Sequence, residues 1–348
     1  MKKILRRNEF YIALTILLLG IIIQTTSGQF FTANNFVDLA RSLIVPGMLC
    51  VGVMMILVSG NIDVSFPAIS MLSMYAVVKG FEITGYQGPV FAAFILSGFI
   101  GLFLGAINGI LAAWLKLPTL IITLGTGSVY LGFMQGVLKS SVISVLPKPI
   151  ANLSKAYLFT VHNAELGVSS SLSVMFVLLP LAALLVALIM RYTMLGRGIY
   201  AIGGDIISAQ RAGFRVPWIQ IFVFSFMGAL AGVVGMTRVT LTGMCQPTTL
   251  IGIEMTCIAS VVLGGVRITG GHGTVTGALL GALLLTMISN SLILLGIPSY
   301  WTKFATGVLI VVGIGITAYQ ALRADRRVMA NILQSDAKPI PNGERDHA

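Results

Sequence analysis

Apolar stretches, each interrupted by a few polar or glycine residues, recur from one end of this 348-residue chain to the other. Ten of them read as helices at or near membrane-crossing length: 10–26, 42–58, 66–79, 89–115, 118–138, 172–190, 218–236, 250–266, 274–295 and 304–321. A hydrocarbon core about 30 Å thick needs about 20 apolar residues in a helix. The 66–79 stretch falls short of that and reads as re-entrant or as half of a broken helix. The pattern predicts an all-α integral membrane protein of about ten transmembrane helices. A membrane domain covers 1–322, and the polar tail 323–348 is expected to be disordered. The basic residues before the first stretch resemble a secretory leader, but no A-x-A site follows, so 10–26 reads as an uncleaved first helix.

Composition agrees with the pattern. Hydrophobic residues make up 56% and charged residues only 9% of the chain, against about a quarter charged in soluble domains. The net charge of +11 raises nucleic acid as a partner. However, the charges sit at the ends of apolar segments, with no basic patch interleaved with aromatics, and nucleic acid is excluded. With ten crossings, 15 of the 22 Lys and Arg fall on the side of the N-terminus and 7 on the other. By the positive-inside bias both termini are cytoplasmic. The stretch 139–171 then becomes the main external loop and 191–217 the main cytoplasmic one. Cys50, Cys245 and Cys257 show no metal-ligand spacing and imply no disulfide framework.

Glycine is abundant and much of it is spaced. Gly101, Gly105 and Gly109 form one G-x-x-x-G ladder, Gly273, Gly277 and Gly281 a second, and Gly228 and Gly232 a single step. Such faces let helix backbones approach closely in lipid, and packing within one subunit is the first expectation for them. A faint internal duplication is also visible. Gly60-Asn61-Ile62-Asp63-Val64-Ser65 aligns with Gly264-Gly265-Val266-Arg267-Ile268-Thr269, each at the end of an apolar run. Transporters often carry duplicated halves of this kind. The opposite charges of Asp63 and Arg267 suggest pseudo-equivalent breaks that flank a pathway and pair across it.

Catalytic chemistry is not evident. His162, His272 and His347 lie far apart, and H-E-x-x-H, G-x-S-x-G and paired intramembrane aspartates are absent. The dipeptide Gly-Lys never occurs, so the chain has no P-loop of its own. Intramembrane ionisable groups are expensive and mark function by default; Glu254 and Asp63 are the candidates. Asn61, Ser65, Thr123, Thr126 and Ser128 join them as candidates for lining a translocation pathway. In the 191–217 loop, Gly203-Gly204-Asp205 leads into Ile206–Ala212 and then Gly213. The spacing predicts a short helix with Asp205 as N-cap and Gly213 as its stop, suited to insertion into a cleft on a soluble partner.

Four segments then carry a resemblance: GNIDVS at 60–65, LKLPTLIITLGT at 115–126, YAIGGDIISAQRAGF at 200–214 and LGGVRITGGHGTVTGALLGALL at 263–284. In order along nearly the whole chain, they resemble the permease subunits of ATP-binding-cassette importers for ribose, galactose, xylose and related sugars, including autoinducer-type uptake systems. The resemblance implies a pathway built by two permease subunits, identical or not, in the bacterial cytoplasmic (inner) membrane. It further implies a cytoplasmic ATP-binding-cassette ATPase that carries ATP and Mg, and a periplasmic or extracellular solute-binding protein. No cofactor is expected on this chain. The segment around Gly203, Gly204, Asp205, Ser208, Ala209, Arg211 and Gly213 resembles the helix that couples to the ATPase, with contact roles passing to Gly204, Asp205, Ala209 and Gly213. Two alternatives stay open at this point: a branched-chain amino acid permease of the related family, and an ion-coupled secondary carrier.

Overall fold

The computed structural model describes residues 8–163 and 167–298, together with 301, 304, 307, 308, 311 and 315. The expected 304–321 helix lies largely, and the 323–348 tail wholly, outside the described residues. In order the chain forms α1 (Asn8–Ser27), α2 (Ala33–Val58), α3 (Phe66–Thr84), α4 (Phe91–Leu115), α5 (Thr119–Gly136) and α6 (Lys148–Ser154). A hairpin of β1 (Tyr157–Asn163) and β2 (Val168–Ser173) follows, then a 3-10 turn (Val174–Val177) and α7 (Leu178–Tyr192). The remainder is α8 (Met194–Gly204), α9 (Ile206–Arg211), α10 (Val216–Thr242), α11 (Ile253–Leu263) and α12 (Val275–Leu294).

Among the described residues, seven helical stretches are long and apolar enough to cross a membrane: α1, α2, α3, α4, residues 174–192, α10 and α12. The differences from expectation have local causes. α3 is not a fragment; it continues for 19 residues, until Gly85 at φ 62° stops it. α2 begins at Ala33 rather than 42, because Thr32 caps it by accepting the Asn35 amide. Its polar first turns are also paired with the hairpin. α5 has 18 residues and is diluted by Thr123, Gly125, Thr126, Gly127 and Ser128. α11 has only 11 residues, about 16 Å at 1.5 Å each, or about half a hydrocarbon core. Gly243 and Gly252, at φ 68° and 89°, hold the preceding segment out of helix.

The stretch expected as an open external loop is folded. β1 and β2 pair antiparallel, with Phe159 opposite Leu172 and a register irregularity between Tyr157 and Phe159, so the all-α expectation gains a small sheet. The hairpin is tied to α2: Asn34 Nδ2 donates to Ser170 Oγ at 3.3 Å, and Ser170 Oγ donates to Asp38 Oδ2 at 3.0 Å. Ile143 and Cys245 exchange backbone hydrogen bonds at 3.0 and 2.9 Å, which fastens the start of the same loop to the segment after α10. Cys245 is buried there.

α2 is the central helix, packed by α7, α10, α11 and α12. The most extensive helix pair is α4 with α10, and glycine explains it. A carbon added at Gly101 or Gly105 would strike the backbone of Gly228 or Phe224, and one at Gly109 the backbone of Ile221. Gly232 lies equally close to Ser97, whose hydroxyl donates to the Gly232 carbonyl at 2.7 Å. The second ladder works the same way between α11 and α12: Gly277 abuts Gly264, Gly281 abuts Ser260, and Gly273 meets Val58 and Val266. Both ladders are thus occupied inside this one chain. Close backbone approach replaces the hydrophobic drive that lipid cannot supply.

Candidate functional site

The break after α2 is irregular, with Ser59, Asn61, Asp63 and Ser65 buried and Ile62 and Val64 half-buried. Leaving the helix strands backbone amides away from water, and each needs a partner. The Ile62 amide donates to Thr119 Oγ1 at 3.0 Å and the Val64 amide to Thr123 Oγ1 at 3.2 Å. The first turn of α5 therefore serves as a side-chain acceptor rail for the break. Asp63 turns back on its own strand: Oδ1 accepts from the Ser65 amide at 2.7 Å and the Ser65 hydroxyl at 2.6 Å. Asn108 of α4 donates to Ser65 Oγ at 2.7 Å. Tyr130 of α5 donates its hydroxyl among the Leu104 carbonyl at 3.0 Å and Asn108 Oδ1 at 3.2 Å. Asn61 bonds to Ser59.

The surroundings of the candidate pathway residues differ from one another. Asn61, Asp63, Ser65 and Thr123 are buried in a satisfied network that holds the break between α4 and α5. Thr126 is half-buried and returns its hydroxyl to Ile122, whereas Ser128 is exposed on α5 and returns its own to Leu124. Glu254 is half-buried and accepts the Gly252 amide at 3.1 Å at the start of α11. Asn108 and Tyr130 were missed by sequence reasoning. The available signal was a lone amide in an otherwise apolar 25-residue helix.

The second break, between α11 and α12, does not pair with the first by charge. Arg267 is exposed while Asp63 is buried, and the one ion pair among the described residues is Lys79 with Glu82. The two breaks are joined through backbone instead. The Gly271 amide donates to the Val58 carbonyl at 2.9 Å. A carbon added at Gly270 would lie 2.9 Å from Cα of both Gly60 and Gly203. Gly270 and Gly271 hold φ of 91° and 71°, a region that favours glycine.

Gly203 brings in the third partner. It is the penultimate residue of α8, which starts with Thr193 accepting the Gly196 amide, and it is buried against Val58 and Gly271. Tyr200, one turn earlier, donates its hydroxyl to the Gly273 carbonyl at 2.7 Å. The chain then turns at Asp205, whose Oδ2 accepts the Ser208 amide at 2.8 Å and caps α9. Hydrogen bonds from the Ser208 hydroxyl and amide hold the Asp205 carboxyl below its usual range. Gly213 at φ 88° follows the helix, as the cap spacing predicts. Gly204, Asp205, Ser208, Arg211 and Gly213 are exposed, but Ala209 is buried and faces inward, as does Gly203. The exposed apolar pair Ile206 and Ile207, 47% and 59% exposed, was not foreseen. In a six-residue helix whose only buried residue is Ala209, they face outward.

These features form one junction: the α8–α9 unit, exposed on its outer side, is seated by glycine backbone on both breaks. Residues 35–313 match the family described as branched-chain amino acid transport system / permease component. The chain belongs to this family. Among its relatives it is 33% identical over 310 residues to the autoinducer 2 import system permease protein LsrC of Yersinia pseudotuberculosis, covering 89% of this chain and 84% of that one. LsrC of Salmonella typhi is 34% identical over 311 residues, with 89% and 85% covered. LsrC of Salmonella paratyphi B is 35% identical over 311 residues, with 89% and 86% covered. No solved structure matches. As a member of this permease family the chain is a multi-pass membrane transport subunit.

Proposed function

We propose that this chain is the permease of an ATP-binding-cassette importer for a sugar or sugar-like solute of the autoinducer 2 kind. The observation that carries the reading is the 33–35% identity to autoinducer 2 import permeases along 89% of the chain. In this reading a separate ATPase, holding ATP and Mg, docks on the exposed side of α9 in the cytoplasm. A second permease subunit completes the pathway in the bacterial cytoplasmic membrane. In this reading α11 completes its crossing together with the non-helical segments that flank it, giving ten crossings with both termini cytoplasmic. An external binding protein delivers solute to the hairpin side, where Lys139, Lys148 and Lys155 meet acidic residues, and that docking weakens as salt rises. ATP binding on the partner changes the relative stability of two packings, and solute moves as the population shifts.

Uptake into vesicles carrying this chain with a cognate ATPase and binding protein tests the reading. Labelled autoinducer 2, ribose and leucine are offered in turn. ATP-dependent uptake of the first or second supports the proposal, and uptake of leucine alone moves the substrate to branched-chain amino acids. Uptake that persists without ATP and collapses with an ionophore overturns it.

A further inference from the structure

Two arginines meet the last turns of α10, at the end of the bundle where α2 begins and the β hairpin is seated. Arg41 of α2 donates from Nη2 to the Leu241 carbonyl at 3.1 Å, which places a cation on the negative end of the helix. Arg238, one turn earlier on α10, donates from Nε to Thr249 Oγ1 at 3.1 Å. That bond ties the guanidinium to the segment between α10 and α11 and fixes its plane. The terminal nitrogens of Arg238, Nη1 and Nη2, have no partner among the described residues. They are not sealed in either, because the one buried side-chain polar atom without a hydrogen bond among those residues is Ser73 Oγ. The fork of Arg238 therefore opens onto space outside the protein.

Charge and shape select among ligands for this fork. The one ion pair among the described residues is Lys79 with Glu82, so the half-buried Arg238 has no counter-ion. The carboxylates on the adjoining elements, Asp38 of α2 and Glu254 of α11, accept instead from Ser170 Oγ and the Gly252 amide. A planar fork with both terminal nitrogens free matches two neighbouring oxygens on one ligand. Gln246 and Thr248 of the same segment are exposed, whereas Arg238 and Thr249 are half-buried. The fork is thus recessed behind a rim of amide and hydroxyl groups, which both donate and accept. A cation would meet two arginines there, and an apolar molecule would leave the guanidinium unpaired. A flat protein surface would meet the rim before the fork. A small solute rich in hydroxyl groups satisfies both.

We infer that Arg238 is a specificity-determining residue of a solute subsite at the hairpin end of the permease. Its terminal nitrogens donate to two neighbouring hydroxyl oxygens of a polyhydroxylated solute, and Gln246 and Thr248 take up the hydroxyl groups that remain. The inference rests on the importer reading above, in which solute arrives on the hairpin side.

Phenylglyoxal condenses with the terminal nitrogens of arginine, so it reads whether the fork is open and whether a solute covers it. The purified full chain is labelled, digested and analysed by mass spectrometry, with the exposed Arg211 and Arg215 near α9 as internal standards. Arg238 should react, and autoinducer 2 or ribose should slow that reaction while leaving both standards unchanged. Leucine should protect nothing. No reaction at Arg238 overturns the inference, and so does a reaction that neither polyhydroxylated solute slows. Equal protection by leucine overturns the solute class, and protection by the binding protein without solute assigns the fork to a protein carboxylate instead. Arg238→Gln is then compared with the parent in vesicles, with the same ATPase and binding protein, so that discrimination by the binding protein cancels. The variant should narrow the preference for ribose over 2-deoxyribose by about tenfold, the loss of one hydrogen bond from a charged donor. A lower rate with the preference unchanged marks a structural role and overturns the inference. Absence of ATP-dependent uptake by the parent sinks the importer reading and is read apart from the labelling, which decides the subsite by itself.

Discussion

Gly203 and Gly204 are adjacent, chemically identical and predicted to behave oppositely. A carbon added at Gly203 would overlap the Val58 carbonyl and lie 2.6 Å from the Gly271 amide, whereas one at Gly204 meets nothing within 4 Å. The obstructing atoms at Gly203 are backbone and are bonded to each other at 2.9 Å, so no side chain can rotate away. Overpacking costs about 1–3 kcal/mol, and leaving that buried pair unsatisfied a further ~1–3 kcal/mol. Against this, Ala regains about 0.5–1 kcal/mol over Gly inside a helix. The net expectation for Gly203→Ala is a loss of about 1–5 kcal/mol, and for Gly204→Ala no loss or a slight gain. Melting in detergent with a thiol-reactive dye reads this out, because all three cysteines are buried and react as the fold opens. Gly203→Ala should melt several degrees below the parent and Gly204→Ala with it. Equal melting of the two variants would refute the backbone junction.

Three further outcomes follow from the same geometry. Asp205→Ala should release the ATPase partner in a pull-down and Asp205→Asn should retain it, since an amide oxygen still accepts from Ser208. Because the folded carboxyl lies below the ordinary value of 3.8, the cap is fully present above that value. It is lost only as pH falls through the depressed one, so retention should be flat from neutrality down to the ordinary value. Asn108→Leu removes the donor to Ser65 Oγ and a partner of Tyr130, and should lower stability by about 1–3 kcal/mol in the melting assay. Burial pushes the Cys245 thiol up to about 12, so maleimide labelling at pH 8 should be slow in the intact protein. It should accelerate in Ile143→Pro, which cannot donate to the Cys245 carbonyl.

Membrane class, most helices and the α9 caps were legible because each rests on a local signal: apolar length, or a cap residue at fixed spacing. α11 was overestimated because apolar composition continues through 250–252 and 264–266, while glycines at positive φ end the helix on either side. The β hairpin was missed because the reading sought apolar helices in this stretch only as far as 172, and the bonds that seat the hairpin reach Asn34 and Asp38, more than a hundred residues away. Asp63 and Arg267 were aligned correctly as two breaks, yet their charges suggested the wrong bond. The side chains diverge, and the backbone of Gly60, Gly270 and Gly271 makes the contact. Sequence shows which residues are charged; it does not show which atoms a glycine lets touch.

That distinction bears on how force would cross the protein. A partner pressing on Ile206, Ile207 and the exposed rim of α9 moves a helix whose inward anchor, Ala209, is buried. It also moves α8, whose last buried residue touches both breaks through main-chain atoms. Flexible side chains at such a junction would absorb a small displacement by changing rotamer. Glycine backbone cannot, so a shift at α9 must either displace the breaks or be resisted by them. The first break is held by Thr119 and Thr123 of α5 and by Asn108 of α4 through Ser65, while the second continues into α12. Displacing them would reorient α5 and α12 together, and packed cores respond to such shifts by switching between discrete arrangements rather than deforming continuously. Under the proposed function, a junction of small residues would serve as a stiff link between an ATP-driven partner and the helices that open or close the path.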